Sequence, residues 1–249
     1  MPDALAQALA LPGLGWLLVA VIAAGLVRGF SGFGSAMIIM PVASSVLSPV
    51  GALVLLTMTE LFGPMPNLPG AWRRGDRADV GRLLLGAALA MPIGIWAVSK
   101  VSAEIFGWWV CGVVLVLLVL LIAGWRYRGA LTPGLVSVTG ALGGFFGAAG
   151  VAGPPVIMLY MASTLPPATI RANFLLYLFG IDLLMLLILS ASGLLDSVAM
   201  IAGLVLAVPY MATNILGAAL FVPRAEPVFR AVAYAIIAAS ALIGLPLWK

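Results

Sequence analysis

Apolar runs follow one another along this chain with hardly a polar segment between them, at 12–28, 34–47, 50–68, 83–100, 105–124, 132–149, 154–165, 172–190, 198–221 and 228–247. An element of a water-soluble fold keeps a polar face toward solvent; these runs have almost none. About 20 apolar helical residues cross the hydrocarbon core of a bilayer, where backbone groups find no water and must be satisfied within the helix. The chain therefore reads as an all-α polytopic membrane protein of about 8–10 transmembrane segments. Charged residues make up 8% of it, against roughly 25% in a soluble domain. The longest polar connection, Trp72 to Arg82, is too short for a separate soluble domain.

Several classes of chemistry lack their residues. There is no histidine, hence no imidazole proton shuttle or metal ligand. The single cysteine, Cys111, forms no internal disulfide and argues against a thiolate metal site. No cofactor and no metal are expected. The formal net charge of +4 comes from arginines in short loops, which points to membrane topology and not to nucleic acid. The start, MPDALAQALALPGLGW, carries Asp3 and no basic residue, so the first apolar segment is expected to be retained and not cleaved.

Two segments are short and follow glycine-rich breaks. The stretch 34–47 follows GFSGFG, and 154–165 follows GFFGAAGVAG. At 1.5 Å per residue, 34–47 reaches about 21 Å against a core of about 30 Å. Such pieces are expected to be half-helices or re-entrant hairpins. Glycines at 144, 147, 150 and 153 let backbones approach or unwind, and Pro154-Pro155 suits the first turn of a new helix. An open helix N-terminus at mid-membrane would bind an anion. The competing reading is tight packing of small residues between helices.

The halves answer each other in order. GFSG (29–32) matches GFFG (144–147), ASSVLSP (43–49) matches ASTLPP (162–167), and Ala90-Met91-Pro92 matches Ala207-Val208-Pro209. AVSKVSAEIF (97–106) resembles ALFVPRAEPVF (219–229). With Arg73, Arg74, Arg77 and Arg82 on the cytoplasmic side, Arg126, Arg128, Arg171, Arg224 and Arg230 fall there too, and only Lys100 and Lys249 fall outside. The loops near Pro49 and Pro166 then lie on opposite sides. We expect two inverted repeats, 1–128 and 129–249, within one integral membrane domain, each a short or broken-helix hairpin plus three spans.

The stretches GLVRGFSGFGSAMIIMP (25–41), GALGGFFGAAGVAGPPVIMLYM (140–161) and RANF (171–174) resemble the sulfite exporter TauE/SafE family of membrane permeases, and the resemblance runs over essentially the whole chain. It implies export of sulfite, sulfonates or other small sulfur-containing or organic anions across a bacterial plasma membrane. The partners expected are the anion and the bilayer, with a homodimer compatible and no nucleic acid.

Substrate is expected between Gly29–Ser35 and Gly147–Pro155, with Arg28, Gly29, Ser31, Gly32, Gly34, Ser35, Gly147, Gly150, Gly153, Pro154 and Asn173 as candidates. Arg28 ends an apolar helix, where an arginine either serves function or snorkels to an interface. Ser31 and Ser35 either donate to the anion or bond their own backbone, and Asn173 either caps a helix or faces the pathway. Arg171 reads first as a topology anchor, Thr213 and Asn214 as interhelical hydrogen-bonding groups, and Trp108-Trp109 as interfacial anchors. Glu60 and Asp182 fall inside apolar runs, as proton carriers or as neutral helix-bonding groups.

A monovalent anion leaving a cell at about 100 mV, inside negative, gains about 2.3 kcal/mol, a ratio of about fifty. Export needs no proton, whereas import would. An anion channel is the nearest rival; an intramembrane lipid-modifying enzyme lacks any visible catalytic constellation, and an assembly subunit would need no polar site at all.

Overall fold

The structure is a computed structural model and describes residues 2–124, 131–160, 163, 165–220, 222 and 226–248. Arg126, Arg128, Arg224 and Lys249 of the charge pattern lie outside the described residues, as do Met161, Ala162 and Thr164 near the end of the seventh apolar segment. The described residues form helices and no strand. They are α1 (Pro2–Leu9), α2 (Leu14–Ser31), α3 (Ser35–Val46), α4 (Pro49–Glu60), α5 (Leu68–Arg74) and α6 (Arg77–Val98) in the first half. The second part runs α7 (Ala103–Ile122), α8 (Pro133–Gly147), α9 (Gly153–Tyr160), α10 (Pro167–Ala191), α11 (Ser197–Leu220) and α12 (Glu226–Gly244). Six of these, α2, α6, α7, α10, α11 and α12, are long and apolar enough to cross a membrane, while α3, α4 and α8 are shorter apolar helices.

Local chemistry sets the ends. Asp76 accepts hydrogen bonds from the N–H groups of Ala78 and Asp79 at the start of α6, and the hydroxyls of Ser48, Ser102 and Thr132 cap α4, α7 and α8 in the same way. At the first break, Gly32 (φ 78°) ends α2 and Gly34 (φ 92°) precedes α3; both are left-handed, which a side chain disfavours. The second break places Gly150 (φ 76°) between α8 and α9.

One segment differs from the sequence expectation. The apolar run 50–68 is not one helix: α4 stops at Glu60, and a 3-10 turn at Met65–Asn67 leads into α5. Gly63, Pro64, Pro66 and Pro69 crowd that stretch, and prolines both lack an N–H and disfavour helix in the residue before them. Hydropathy does not register that break. The carboxyl of Glu60 consequently stands at a helix end.

Two close seams hold the bundle, α2 on α11 and α6 on α8. A Cβ on Gly25 would meet the backbone around Tyr210 and Asn214, and one on Gly29 that of Asn214 and Ala218. Gly217 answers from α11 against Leu26. In the other seam Gly86 lies on Ser137 and Ala141, while Gly140 and Gly144 lie on Leu83 and Ala87. The contacts advance in the same direction along both helices, so each seam is a parallel pair drawn to backbone contact by glycine, the association expected where the hydrophobic effect gives helices no reason to pair. Pro92 and Pro209, matched in sequence, lie inside α6 and α11, one in each seam.

Candidate functional site

Arg28 lies in the last turn of α2, four residues before the left-handed Gly32. Its Nη1 donates to Ser35 Oγ at 3.0 Å and to Glu60 Oε2 at 3.0 Å. The side chains of Arg28 and Glu60 are 12% and 7% exposed, so this ion pair is withdrawn from solvent. Ser35 is the first residue of α3 and Glu60 the last of α4. The sequence brings the three together because the Gly32–Gly34 turn folds α3 back on α2, and the proline-rich stretch ends α4 at that depth.

The pair borders a small, partly open cavity of about 50 Å³. Its walls come from both breaks and two helices: Gly34 to Met37, Gly147 and Gly150 to Pro154, with α4 and α10 closing the sides. Asp182 from α10 is the second acid in the wall. Three polar atoms in this neighbourhood are buried without a hydrogen-bond partner: Glu60 Oε1, Asp182 Oδ2 and the hydroxyl of Tyr210. Tyr210 is fully buried on α11 and stands beside Arg28, Glu60 and Ser35. Unpaired buried polar atoms are uncommon and costly; two of these, on Glu60 and Asp182, belong to residues that line the cavity.

The two breaks differ in the backbone donors they leave open. The first N–H groups of a helix have no intrahelical partner. At α3 these belong to Ser35, Ala36 and Met37, all in the cavity wall. At α9 the second and third positions are Pro154 and Pro155, which have no N–H to offer. The proline pair starts the half-helix cleanly but removes donors, so the first break, with Arg28, carries most of the positive character.

Of the sequence candidates, Arg28, Gly34, Ser35, Gly147, Gly150, Gly153 and Pro154 meet around this cavity, together with Glu60 and Asp182. Four others lie elsewhere. Gly29 sits in the α2–α11 seam. The Ser31 hydroxyl lies 2.6 Å from the carbonyl of Val27 and 2.7 Å from that of Phe33, closing the turn. Gly32 caps α2, its N–H donating to Arg28 O at 2.8 Å. Asn173 is buried, with Oδ1 accepting from Asp76 N at 2.7 Å. That bond ties α10 to the junction of α5 and α6, next to Asp79, which accepts from Tyr160 at 3.2 Å and from Arg82 at 2.8 Å. Arg171 is exposed. Thr213 bonds Pro209 O and Tyr210 O within its own helix, not a neighbour as expected, a habit of threonine in helices.

Sequence reading missed Tyr210. Its signal was a phenol in an apolar run directly after Pro209, since a buried tyrosine hydroxyl ordinarily needs a partner.

A multi-pass helical protein with a charged cavity where two interrupted helices meet has the build of a membrane transporter. The chain belongs to the sulfite exporter TauE/SafE family, whose sequence model matches residues 17–243. The family is one of membrane permeases for sulfite and related anions, transporters and not enzymes. Among curated proteins and among solved structures, no match was found.

Proposed function

We propose that this protein is a secondary transporter that exports a small anion (sulfite, a sulfonate or a related sulfur-containing or organic anion) across a bacterial plasma membrane. The anion binds in the cavity between the two breaks, against Arg28, the hydroxyl of Ser35 and the open N-terminus of α3. Gly147, Gly150, Gly153 and Pro154 form the opposite wall.

The observation that carries this reading is Arg28. It is a nearly enclosed arginine at a helix interruption, bordering a cavity with unpaired polar atoms, in a chain with 8% charged residues. Its hydrogen bonds to Ser35 and Glu60 both leave from Nη1, so an arriving oxyanion has the donors of Nη2 and Nε to meet first. Glu60 and Asp182 are the candidates for any proton coupling.

The inverted-repeat organisation, 1–128 and 129–249, belongs to the same proposal. Its support is the order of matched segments, the charge distribution, and the exchange of α2 with α8 and α6 with α11 that turns one glycine seam into the other.

Anion-dependent stabilisation of the purified protein tests the site. A ligand that binds only the folded state stabilises by RT ln(1 + [L]/Kd), about 2.7 kcal/mol at a hundred times Kd. The unfolding temperature in detergent will rise with the logarithm of sulfite or methanesulfonate concentration at constant ionic strength, and sodium or potassium will be interchangeable as counterion. No anion-specific rise with any small sulfur oxyanion would remove the site.

A further inference from the structure

The cation that would hold the substrate is already held. Arg28 Nη1 and Glu60 Oε2 are 3.0 Å apart, both side chains are nearly enclosed, and Glu60 comes from a different helix, 32 residues on. A carrier crosses between its two faces once loaded and once empty. An arginine at this depth is costly to leave unpaired, so its charge must be matched in both crossings. The substrate matches it in the loaded state. In the empty state a carboxylate from within the chain must.

We propose that Glu60 is an internal substitute for the transported anion: it closes on Arg28 when the site is empty, and the substrate displaces it. The proposal rests on the anion-permease reading above and adds a role for Glu60 in the return of the empty carrier. The details of the cavity fit a carboxylate that comes and goes. Glu60 is the terminal residue of α4, followed by the irregular Leu61–Pro64 stretch and not by a further helical turn. Its second oxygen, Oε1, has no partner, so one contact with Arg28 anchors the whole group. The other ionisable groups that reach this region are Arg28 from α2, Asp182 from α10 and Tyr210 from α11; α6 and α7 bring none to the cavity wall. Asp182 makes no ion pair with Arg28 among the described residues, so it does not stand in for Glu60 without moving.

A carrier whose empty form cannot return still exchanges anion for anion. Glu60→Gln removes the internal anion and keeps size and hydrogen bonding, so the ratio of net efflux to exchange is the diagnostic quantity. Proteoliposomes loaded with labelled sulfite are diluted either into sulfite-free buffer, for net efflux, or into buffer with unlabelled sulfite, for exchange. In the wild type both proceed. In Glu60→Gln the ratio falls by about a hundredfold, the scale of an uncompensated buried charge, and remains low in Glu60→Gln/Asp182→Asn, which also lacks the other carboxylate.

A second measurement, on the same variant in detergent, is equilibrium sulfite affinity. With the internal competitor gone, binding tightens by about tenfold or more, the scale of a lost charge-assisted hydrogen bond. A purely structural role for Glu60 predicts weakened binding and a net-to-exchange ratio like that of the wild type; either result overturns the proposal. Wild-type protein that neither binds nor moves sulfite would instead overturn the anion-permease reading, and the role of Glu60 with it.

Discussion

Arg28→Gln will reduce anion flux by about a hundredfold or more at subsaturating substrate, the usual consequence of truncating one partner of a buried charge pair. Glutamine keeps most of the length and some hydrogen bonding, so the loss reports the charge. Two effects combine. The anion loses the only cation that lines the cavity among the described residues. Glu60, enclosed and with Oε1 already unpartnered, is left without its counter-charge, which costs about 3–5 kcal/mol and lowers the stability of the protein as well. Arg28→Lys separates the two, because an ammonium restores the charge without the planar fork that meets two oxygens of an oxyanion at once. It will recover stability more fully than flux. Flux is measured per folded protein in proteoliposomes, with size-exclusion profile and thermal unfolding as controls. Flux within about twofold of wild type in folded Arg28→Gln would show that the anion does not use this residue.

Gly150→Leu will abolish transport while leaving membrane insertion intact. Two penalties fall on one residue. Its φ of 76° is left-handed, which costs a residue with a Cβ about 1–2 kcal/mol. A side chain there would run into Met40 of α3 and Leu56 of α4, and overpacking typically adds about 1–3 kcal/mol. Relief by displacement of the 147–153 loop from α3 opens the junction where the breaks meet and moves the wall of the cavity. Gly32→Leu is the informative comparison. It has a similar φ of 78°, but no atom stands within 4 Å of its added Cβ and it lies outside the cavity wall. Strain alone remains, and Gly32→Leu is expected to retain part of its flux. Membrane fractionation and a flux assay check both. Equal loss in the two would assign the effect to backbone strain and not to the crossing of the breaks.

The helical class, the interruptions and the shortness of α3 were legible because glycine, proline and hydropathy act locally. GFSGFG and GAAGVAGPP announce broken helices whatever surrounds them. The same locality explains the failures. Gly29 and Gly32 sit in one motif, yet Gly29 serves a helix seam and Gly32 a cap, and only the approach of α11 decides which. The run 50–68 looked continuous because hydropathy averages over Gly63, Pro64, Pro66 and Pro69. Asn173 reads equally as a helix cap or a pathway residue, and Asp76, nearly a hundred residues earlier, takes its Oδ1. Arg28 and Glu60 were each conspicuous as charges in apolar surroundings. Their pairing was not visible, since partner choice across 32 residues is set by the fold back at Gly32–Gly34. Tyr210 escaped notice for the same reason: the phenol becomes informative only once its hydroxyl is seen buried and unpartnered near that pair.

The most direct test of the central claim, a carrier that exports small anions through the Arg28 cavity, is sulfite and methanesulfonate efflux from proteoliposomes of the purified wild-type protein under an imposed, inside-negative potential. The account predicts saturable efflux, accelerated by the same anion on the far side as a carrier requires and a channel does not. A potential of about 100 mV contributes about 2.3 kcal/mol per monovalent charge moved; efflux that instead requires a proton gradient would assign the coupling to Glu60 and Asp182. Absence of saturable flux with every small sulfur oxyanion, in protein that is folded and inserted, would contradict the account.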